Sequence, residues 1–370
     1  MKKNIPPQGI RDLGVKIGEM PTGKFNSITD VKGVKVGHCT LDQEENIRTG
    51  VTVIMPNENI FNKKLIAGSF ILNGAGELSG ITQIKEWGIL ETPIALTNTM
   101  SVGHVGQGIS KWMSKKFNKI WDQRYVIIPV VGECDDSFLN DSINFHIEEK
   151  HVLEAIKDCK TGEFPQGSVG GGTGMVCCDL KGGIGSSSRI VSMEGIDYTV
   201  GVLVMSNFGY MKDMKIDGYP VGQILEPLQG EYLKRVDNYG SIIVVVATDI
   251  PCTVNQINRL CKRAALGIGR VGTIAAHGSG EIVVGFSTGN VLKHDNKKPH
   301  SKLNVIMEDH MNGAYRAVIE ATEEAILNSL SYSDTMKGLD NHEVPGIDRF
   351  ELKNIIEKFT NLKEKLRDKY

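Results

Sequence analysis

The sequence predicts an α/β fold with helices covering sheets, and three observations carry that expectation. Short apolar, β-branched runs alternate with Gly, Asn and Asp punctuation. Several of these runs are apolar throughout, the pattern of strands covered on both faces. Two later stretches repeat apolar residues at helical spacing.

In chain order, strands are expected at 51–55, 65–72, 94–97, 125–131, 198–205, 241–247 and 281–286, with turn-forming residues between them. A weaker amphipathic helix is expected over 140–159. Over 253–268, Val254, Ile257, Leu260, Cys261, Ala264 and Ile268 form one stripe, with Asn255, Lys262 and Arg263 lying off it. Over 311–330, Ala314, Ala317, Val318, Ala321, Ala325 and Ile326 make an alanine-rich face suited to close packing on a sheet. Residues 349–370 read as a charged terminal helix. No repeat, low-complexity tract or Pro/Ser-rich linker divides the chain, so 1–370 is read as a single domain.

Composition narrows the function. The 370 residues carry 42 Lys+Arg against 44 Asp+Glu, a net charge of −2, so no overall field recruits nucleic acid or an anionic membrane. A hydrophobic fraction of 40% with 23% charged residues excludes wholesale disorder. Glycine is in excess, at 42 residues, and without a tripeptide period these glycines are assigned to turns and close backbone approaches. No secretory apolar stretch follows Met1-Lys2-Lys3, and the longest apolar runs are strand-length, far short of the ~20 residues of a membrane span. Seven cysteines, odd in number and without a CxxC, suggest neither a disulfide framework nor a zinc site. The expectation is a reduced, cytoplasmic protein that holds no metal.

Four motifs look chemical but read better as structure. The glycine run from Gly167 to Gly174 lacks the GK[ST] ending of a phosphate loop, and Met175-Val176-Cys177-Cys178 after it looks like a strand. Gly285-Phe286-Ser287-Thr288-Gly289 matches the GxSxG elbow, but a polar loop from Asn290 to Pro299 is expected where the elbow needs a helix. His146 and His151, five apart, would face different sides of a helix and read as a solvated face. Lys160-Thr161-Gly162 has no Ser-x-x-Lys to accompany it and reads as a turn.

The segment Asp237-Asn238-Tyr239-Gly240-Ser241 is different, because a polar turn ends in glycine and a serine then opens a wholly apolar strand. Such a serine can be an ordinary strand start. It can also be an autocatalytic N-terminal nucleophile, whose hydroxyl attacks the Gly240 carbonyl and shifts the peptide to an ester that water cleaves. Glycine at 240 accepts a strained backbone and offers no side chain to block the attack. The released α-amine titrates near ~7.7–8.0 and can act as base for its own hydroxyl.

The chain resembles the DmpA-like family of L-aminopeptidase/D-amidase-esterases and β-aminopeptidases, which are self-processing hydrolases. The matching stretches run in order from near Arg11 to about Ala325. They include Asn26-Ser27-Ile28-Thr29-Asp30-Val31, Gly33-Val34-Lys35-Val36-Gly37-His38, Gly74-Ala75-Gly76-Glu77-Leu78 and the segment 93–99 just ahead of Ser101-Val102-Gly103. The glycine run, Lys181-Gly182-Gly183-Ile184-Gly185, Gly240-Ser241, Ala247-Thr248-Asp249 and Gly278-Ser279-Gly280-Glu281 follow.

The resemblance implies a four-layer αββα sandwich shared with ornithine acetyltransferase, with Ser241 at the end of a central strand. It implies cleavage between Gly240 and Ser241 into chains 1–240 and 241–370, and a homotetramer of processed protomers. Ser241 would be the nucleophile of a serine aminopeptidase or amidase acting on small peptides, amides or esters through an acyl-enzyme, with no cofactor. Ser279 and Glu281 match the other two catalytic positions: Glu281 would hold the rotamer of Ser279, which would orient Ser241. Asn207 matches an asparagine that helps stabilise the oxyanion, where an Asx turn is its alternative. Glu133 and Asp135 fall in a stretch that borders the substrate site, and Glu133 is the first choice to pair with a substrate ammonium. That stretch departs from relatives at Asp135, an aromatic position in some, and at Ser137, which replaces a glycine. Cys134 is passed over as a nucleophile. Two other readings stay open, an ornithine acetyltransferase-like acyl transfer and an unprocessed small-molecule-binding protein.

Overall fold

Two sheets stacked face to face, each with helices on its outer side, position everything that follows. The structure is a computed structural model, and it describes residues 8–228, 240–294 and 299–350, with Asn354, Ile355, Glu357, Lys358 and Asn361 beyond them. The chain begins with β1 (Lys35–Gln43), β2 (Ile47–Met55) and β3 (Lys63–Gly74), then α1 (Ile81–Trp87), β4 (Ile89–Leu90) and β5 (Ile94–Asn98). It continues through α2 (Val102–Lys116), α3 (Asn118–Asp122), β6 (Val130–Cys134) and α4 (Glu149–Asp158). The short β7 (Val176–Cys177) and β8 (Leu180–Lys181) lead to β9 (Gly183–Met193), β10 (Ile196–Phe208) and α5 (Val221–Leu225). Last come β11 (Gly240–Thr248), α6 (Val254–Val271), β12 (Gly280–Lys293), α7 (Asn312–Ser331), β13 (Met336–Lys337) and β14 (Glu343–Val344).

One sheet has the order β1-β2-β5-β6 and the other β4-β3-β12-β11-β10-β9. Between them lies an apolar layer in which Leu96 and Cys134 meet Leu203, Met205, Ile243, Val245, Ile282 and Val284. A Cβ on Gly132 would approach Ile243 Cγ2 to 3.0 Å, so β6 and β11 lie directly against each other. Ile242, Val244 and Val246 alternate to the opposite face and pack with Leu260, Ala264, Ala317 and Ala321 of α6 and α7. Every residue of β11 is buried, which explains why its sequence does not alternate. Helices α2 and α4 cover the smaller sheet through residues such as Val105, Ile109 and Val152. The architecture is the expected αββα sandwich.

Both parallel pairs, β5 with β6 and β11 with β12, are joined through helices. Helix α6 starts at an N-cap Thr253 whose side chain accepts from Gln256 N–H, in a reciprocal capping box. The alanine face of α7 allows close packing on β9, where a Cβ on Gly185 would fall 1.9 Å from Ala325 O.

Several expected boundaries are corrected. The strand expected at 125–131 starts only at Val130 and runs on to Cys134, because Glu133, although charged, is buried with its own hydrogen-bond partners. The helix expected over 140–159 forms only from Glu149, where the Glu148 and His151 side chains cap it; ahead of it Phe145 takes a φ of +52° that breaks any helix. His146 lies outside the helix, so the two histidines do not share a helical face. The polar loop expected after Gly289 is strand as far as Lys293, past a register irregularity between Ser287 and Val291. The GxSxG serine therefore sits inside β12, donating to Ile250 O at 2.5 Å. Residues 237–239 and most of 349–370 lie outside the described residues.

The glycine run does serve close packing. Cβ atoms on Gly171 and Gly172 would fall 2.6 Å from Leu96 O and 2.5 Å from Ile184 N. Lys160-Thr161-Gly162 forms a bend, with Gly162 at φ +89°. No helix among the described residues is long and apolar enough to cross a membrane.

Candidate active site

Ser241, the second residue of β11, sits between two ladders. On one side it pairs antiparallel with Asn207, near the end of β10; on the other it pairs parallel with Gly280, at the start of β12. Three distant pieces of sequence therefore meet at one strand end. Gly240 before it has φ +62°, a left-handed conformation that glycine tolerates and other residues resist. Ser241 is 6% exposed, and its hydroxyl accepts from Gly280 N–H at 3.2 Å.

Glu281 is fully buried, and its Oε1 accepts a short hydrogen bond from Ser279 Oγ. This is the expected Ser279–Glu281 pairing. The further expectation, that Ser279 orients Ser241, has no hydroxyl–hydroxyl contact among the described residues, where the partner of Ser241 Oγ is the Gly280 backbone. Strand alternation explains this, because Gly280 faces the same side as Ser241 while Glu281 points to the other. Thr273 Oγ1 lies 3.5 Å from Glu281 Oε1, and Oε2 has no partner among the described residues. Burial raises the Glu281 carboxyl above its ordinary value, against the lowering pull of Ser279 and Thr273.

Asn207 belongs to β10 rather than to a turn. Its Oδ1 accepts from Val176 N–H and its Nδ2 donates to Asp135 O, both at 2.8 Å. These long-range bonds replace the Asx turn and fix which way the amide faces.

Glu133 is the penultimate residue of β6 in the other sheet, and its carboxylate reaches toward Ser241. A Cβ on Gly76 would lie 3.1 Å from Glu133 Oε1 and 3.6 Å from Ser241 Oγ. Glu133 Oε1 accepts from Glu77 N–H at 2.8 Å, and Oε2 accepts from Thr99 Oγ1 in a short hydrogen bond. Burial raises its carboxyl above the ordinary value, while those two hydrogen bonds oppose the rise. Asp135 contributes differently: its carbonyl holds Asn207 and its half-buried carboxylate accepts from Ser137 N–H at 2.9 Å.

Sequence reasoning gave no role to Gly76, Glu77, Thr99, Thr273 or Asn73. Asn73 Nδ2 donates to the carbonyls of Ala276 and Ser279, at 2.7 and 2.6 Å, and so clips the turn before β12. The signal for Gly76, Glu77 and Thr99 was present, since they lie in matched stretches, but nothing local said what they touch. Cys134 is buried, with Sγ 3.6 Å from Met205 O. A cavity of about 820 Å³, lined by Phe25, Arg48, Phe164, Tyr332 and Lys337 among others, contains none of the expected site residues. Among the described residues no cluster of three or more His, Cys, Asp and Glu could hold a metal ion.

Chemically, a hydroxyl near a strand terminus, an oriented side-chain amide on the paired strand and a buried carboxylate are brought to one strand end. That set can deliver a nucleophile to a carbonyl, donate to the resulting oxyanion and receive a cation. A sequence model of peptidase family S58 matches residues 26–344. The chain is 39% identical to beta-peptidyl aminopeptidase BapA of Sphingosinicella microcystinivorans, over 95% of this chain and 92% of that protein. Among solved structures, it is similar to a Burkholderia sp. beta-aminopeptidase, with TM-score 0.88, 38% identity and coverage of 95% and 99% of the two chains. The same coverage and TM-score 0.88, at 33% identity, relate it to the L-aminopeptidase D-ala-esterase/amidase of Ochrobactrum anthropi, described as a variant of the Ntn hydrolase fold.

Proposed function

The chain belongs to peptidase family S58, and we propose from that premise that it cuts itself between Gly240 and Ser241 and then hydrolyses substrates through Ser241. It is a serine aminopeptidase/amidase. The observation that carries the detailed reading is the meeting of Ser241, Asn207 and Glu133 at one buried strand end.

In self-processing, Ser241 Oγ attacks the Gly240 carbonyl, the C–N bond breaks, and water hydrolyses the ester. Chains 1–240 and 241–370 result. The new α-amine of Ser241 takes the hydroxyl proton when Oγ attacks a substrate carbonyl, and returns a proton to the leaving amine or alcohol. Asn207 Nδ2 donates to the oxyanion, a contribution worth about 2.7–4 kcal/mol when well aimed. Glu133, desolvated and without a cation partner among the described residues, receives the substrate's free ammonium, and Asp135 shapes the same wall. Glu281 holds Ser279 beside the Gly280 backbone, where it supports the protonated amine of the cut Ser241. Small peptides, amides or esters with a free amino end are the substrates, and no cofactor enters the scheme. The acetyltransferase alternative is disfavoured by serine at 241, since that chemistry uses threonine.

Support for β-amino acyl substrates comes from the names of the relatives, and for L- or D-residues from the Ochrobactrum protein. A panel of p-nitroanilides carrying L-, D- and β-amino acids ranks these classes. The homotetramer and the cytoplasmic location implied by the resemblance are part of the same proposal, testable by light scattering and cell fractionation. Denaturing electrophoresis with N-terminal sequencing tests the core claim. Two fragments, the smaller beginning at Ser241, are expected, with Ser241→Ala remaining whole and inactive. An intact chain that is fully active overturns it.

A further inference from the structure

The peptide between Met175 and Val176 is held at both ends. Its N–H, from Val176, donates to Asn207 Oδ1 at 2.8 Å. Its C=O, from Met175, accepts from Lys181 Nζ at 2.7 Å and from Gly182 N–H at 3.0 Å. Lys181 is fully buried, and its ammonium also donates to Gly182 O at 2.7 Å and Gly172 O at 3.3 Å. Each of its three donors thus has a carbonyl, a cradle that only an ammonium fills.

A buried lysine without a function is costly, since desolvation penalises the charge. Burial lowers the Lys181 ammonium to about 7, and the nearby buried Asp136, which the proposed mechanism does not use, opposes that fall. The geometry leads instead to Asn207. A peptide unit is planar, so fixing its carbonyl end fixes the direction of its N–H. That N–H, together with the Asp135 carbonyl on Nδ2, distinguishes the two faces of the Asn207 amide. Turned over, Asn207 would present Oδ1 rather than Nδ2 to a developing oxyanion, and repel it. A cation on the carbonyl also strengthens the N–H at the other end as a donor.

We propose that Lys181 is a positioning residue for the Asn207 amide, acting through the Met175–Val176 peptide plane. The inference rests on the oxyanion role proposed above for Asn207. A double-mutant cycle tests it, using Lys181→Met, Asn207→Ala and the double variant. Values of kcat and KM for an amino-acyl p-nitroanilide are normalised to the processed fraction seen on gels. Asn207→Ala should lose about 100- to 1000-fold in kcat. Lys181→Met should lose about 10- to 100-fold in kcat with KM nearly unchanged, as a misaimed group does. In the Asn207→Ala background the lysine substitution should cost nothing further.

If Lys181→Met costs the same factor with or without Asn207, or acts on KM alone, Lys181 is structural and the proposal falls. An Asn207→Ala enzyme with full kcat overturns the oxyanion reading instead. Should Lys181→Met not fold, Lys181→Arg runs the same cycle: coupling to Asn207→Ala supports the proposal and additivity overturns it.

Discussion

Two of the regions that bury carboxylates have opposite surroundings. Between β9 and α7, Glu324 accepts from Arg189 Nη2 at 2.7 Å and from Arg11 Nε at 2.6 Å, while Glu320 meets Arg189 Nε at 3.2 Å. At the strand ends around Ser241, Glu133 and Glu281 meet only hydroxyls and a backbone N–H; no described cation pairs with either. Burial alone would raise Glu324, yet the Arg11 hydrogen bond and the charges of Arg189 and Arg11 hold it below its ordinary value. Glu133 and Glu281 stand above theirs, because burial prevails. The first region has its charges matched within the fold and serves as a clamp. The second carries an unmatched demand for a cation, which suits a group that completes its pairing with a substrate.

The contrast can be broken most forcefully at Arg189. Arg189→Met leaves Glu320 without its cation and Glu324 with only Arg11, so urea denaturation should show a loss of about 3–5 kcal/mol. The folded remainder should keep its kcat. An undiminished midpoint would mean that the clamp contributes nothing. Next in size, Glu133→Gln should raise KM about 10- to 150-fold for substrates with a free amine, the ~1.5–3 kcal/mol of a hydrogen bond to a charged group. Stability at neutral pH should not fall, and an unchanged KM removes Glu133 from the substrate site.

The smallest effect expected is in pH dependence. Glu133, raised in the folded state, costs stability when ionised; that cost is present above its folded pKa and disappears as pH falls through it. Glu324, lowered, contributes stability above its unfolded value that is lost as pH falls through the folded one. Acid titration should therefore narrow the stability gap between Glu133→Gln and wild type, and narrow that between Glu324→Gln and wild type from the other side. In kcat/KM, an acid limb above the ordinary carboxylate range should be present in wild type and absent in Glu133→Gln. A limb that survives the substitution belongs to another group.

What the sequence revealed follows from how each element is buried. Strand β11 and helix α6 were legible because apolar content and an apolar stripe are local signals. Strand β9 was missed: Ser186, Ser187, Ser188 and Arg189 look like a loop, yet all four are buried with distant partners such as Asn26, Glu320 and Val202. Helix α2 was missed because Gly103, Gly106 and Gly108 argue against helix, although Gly108 gives room to Val152, which a Cβ would meet at 2.8 Å. On α7, Glu320, Glu323 and Glu324 are buried rather than solvated, which only their long-range ion pairs explain.

The candidate site shows the same division. Ser241, Ser279, Glu281 and Asn207 could be named by matching them to a family, and Gly240-Ser241 stood out on its own. The joining of Asn207 to Val176, of Glu133 to Thr99, and of both to one strand end depends on pairings between residues far apart. No local pattern contains them.

The order β4-β3-β12-β11-β10-β9 has a consequence for what scission would leave behind. Strands β11 and β12 would belong to the shorter fragment, and each has a strand of the longer fragment as its outer neighbour. Neither polypeptide then owns a closed core, and neither has an edge along which it can peel away. The nick would produce a permanent heterodimer, interlocked by backbone ladders and parted only by denaturation of both halves together.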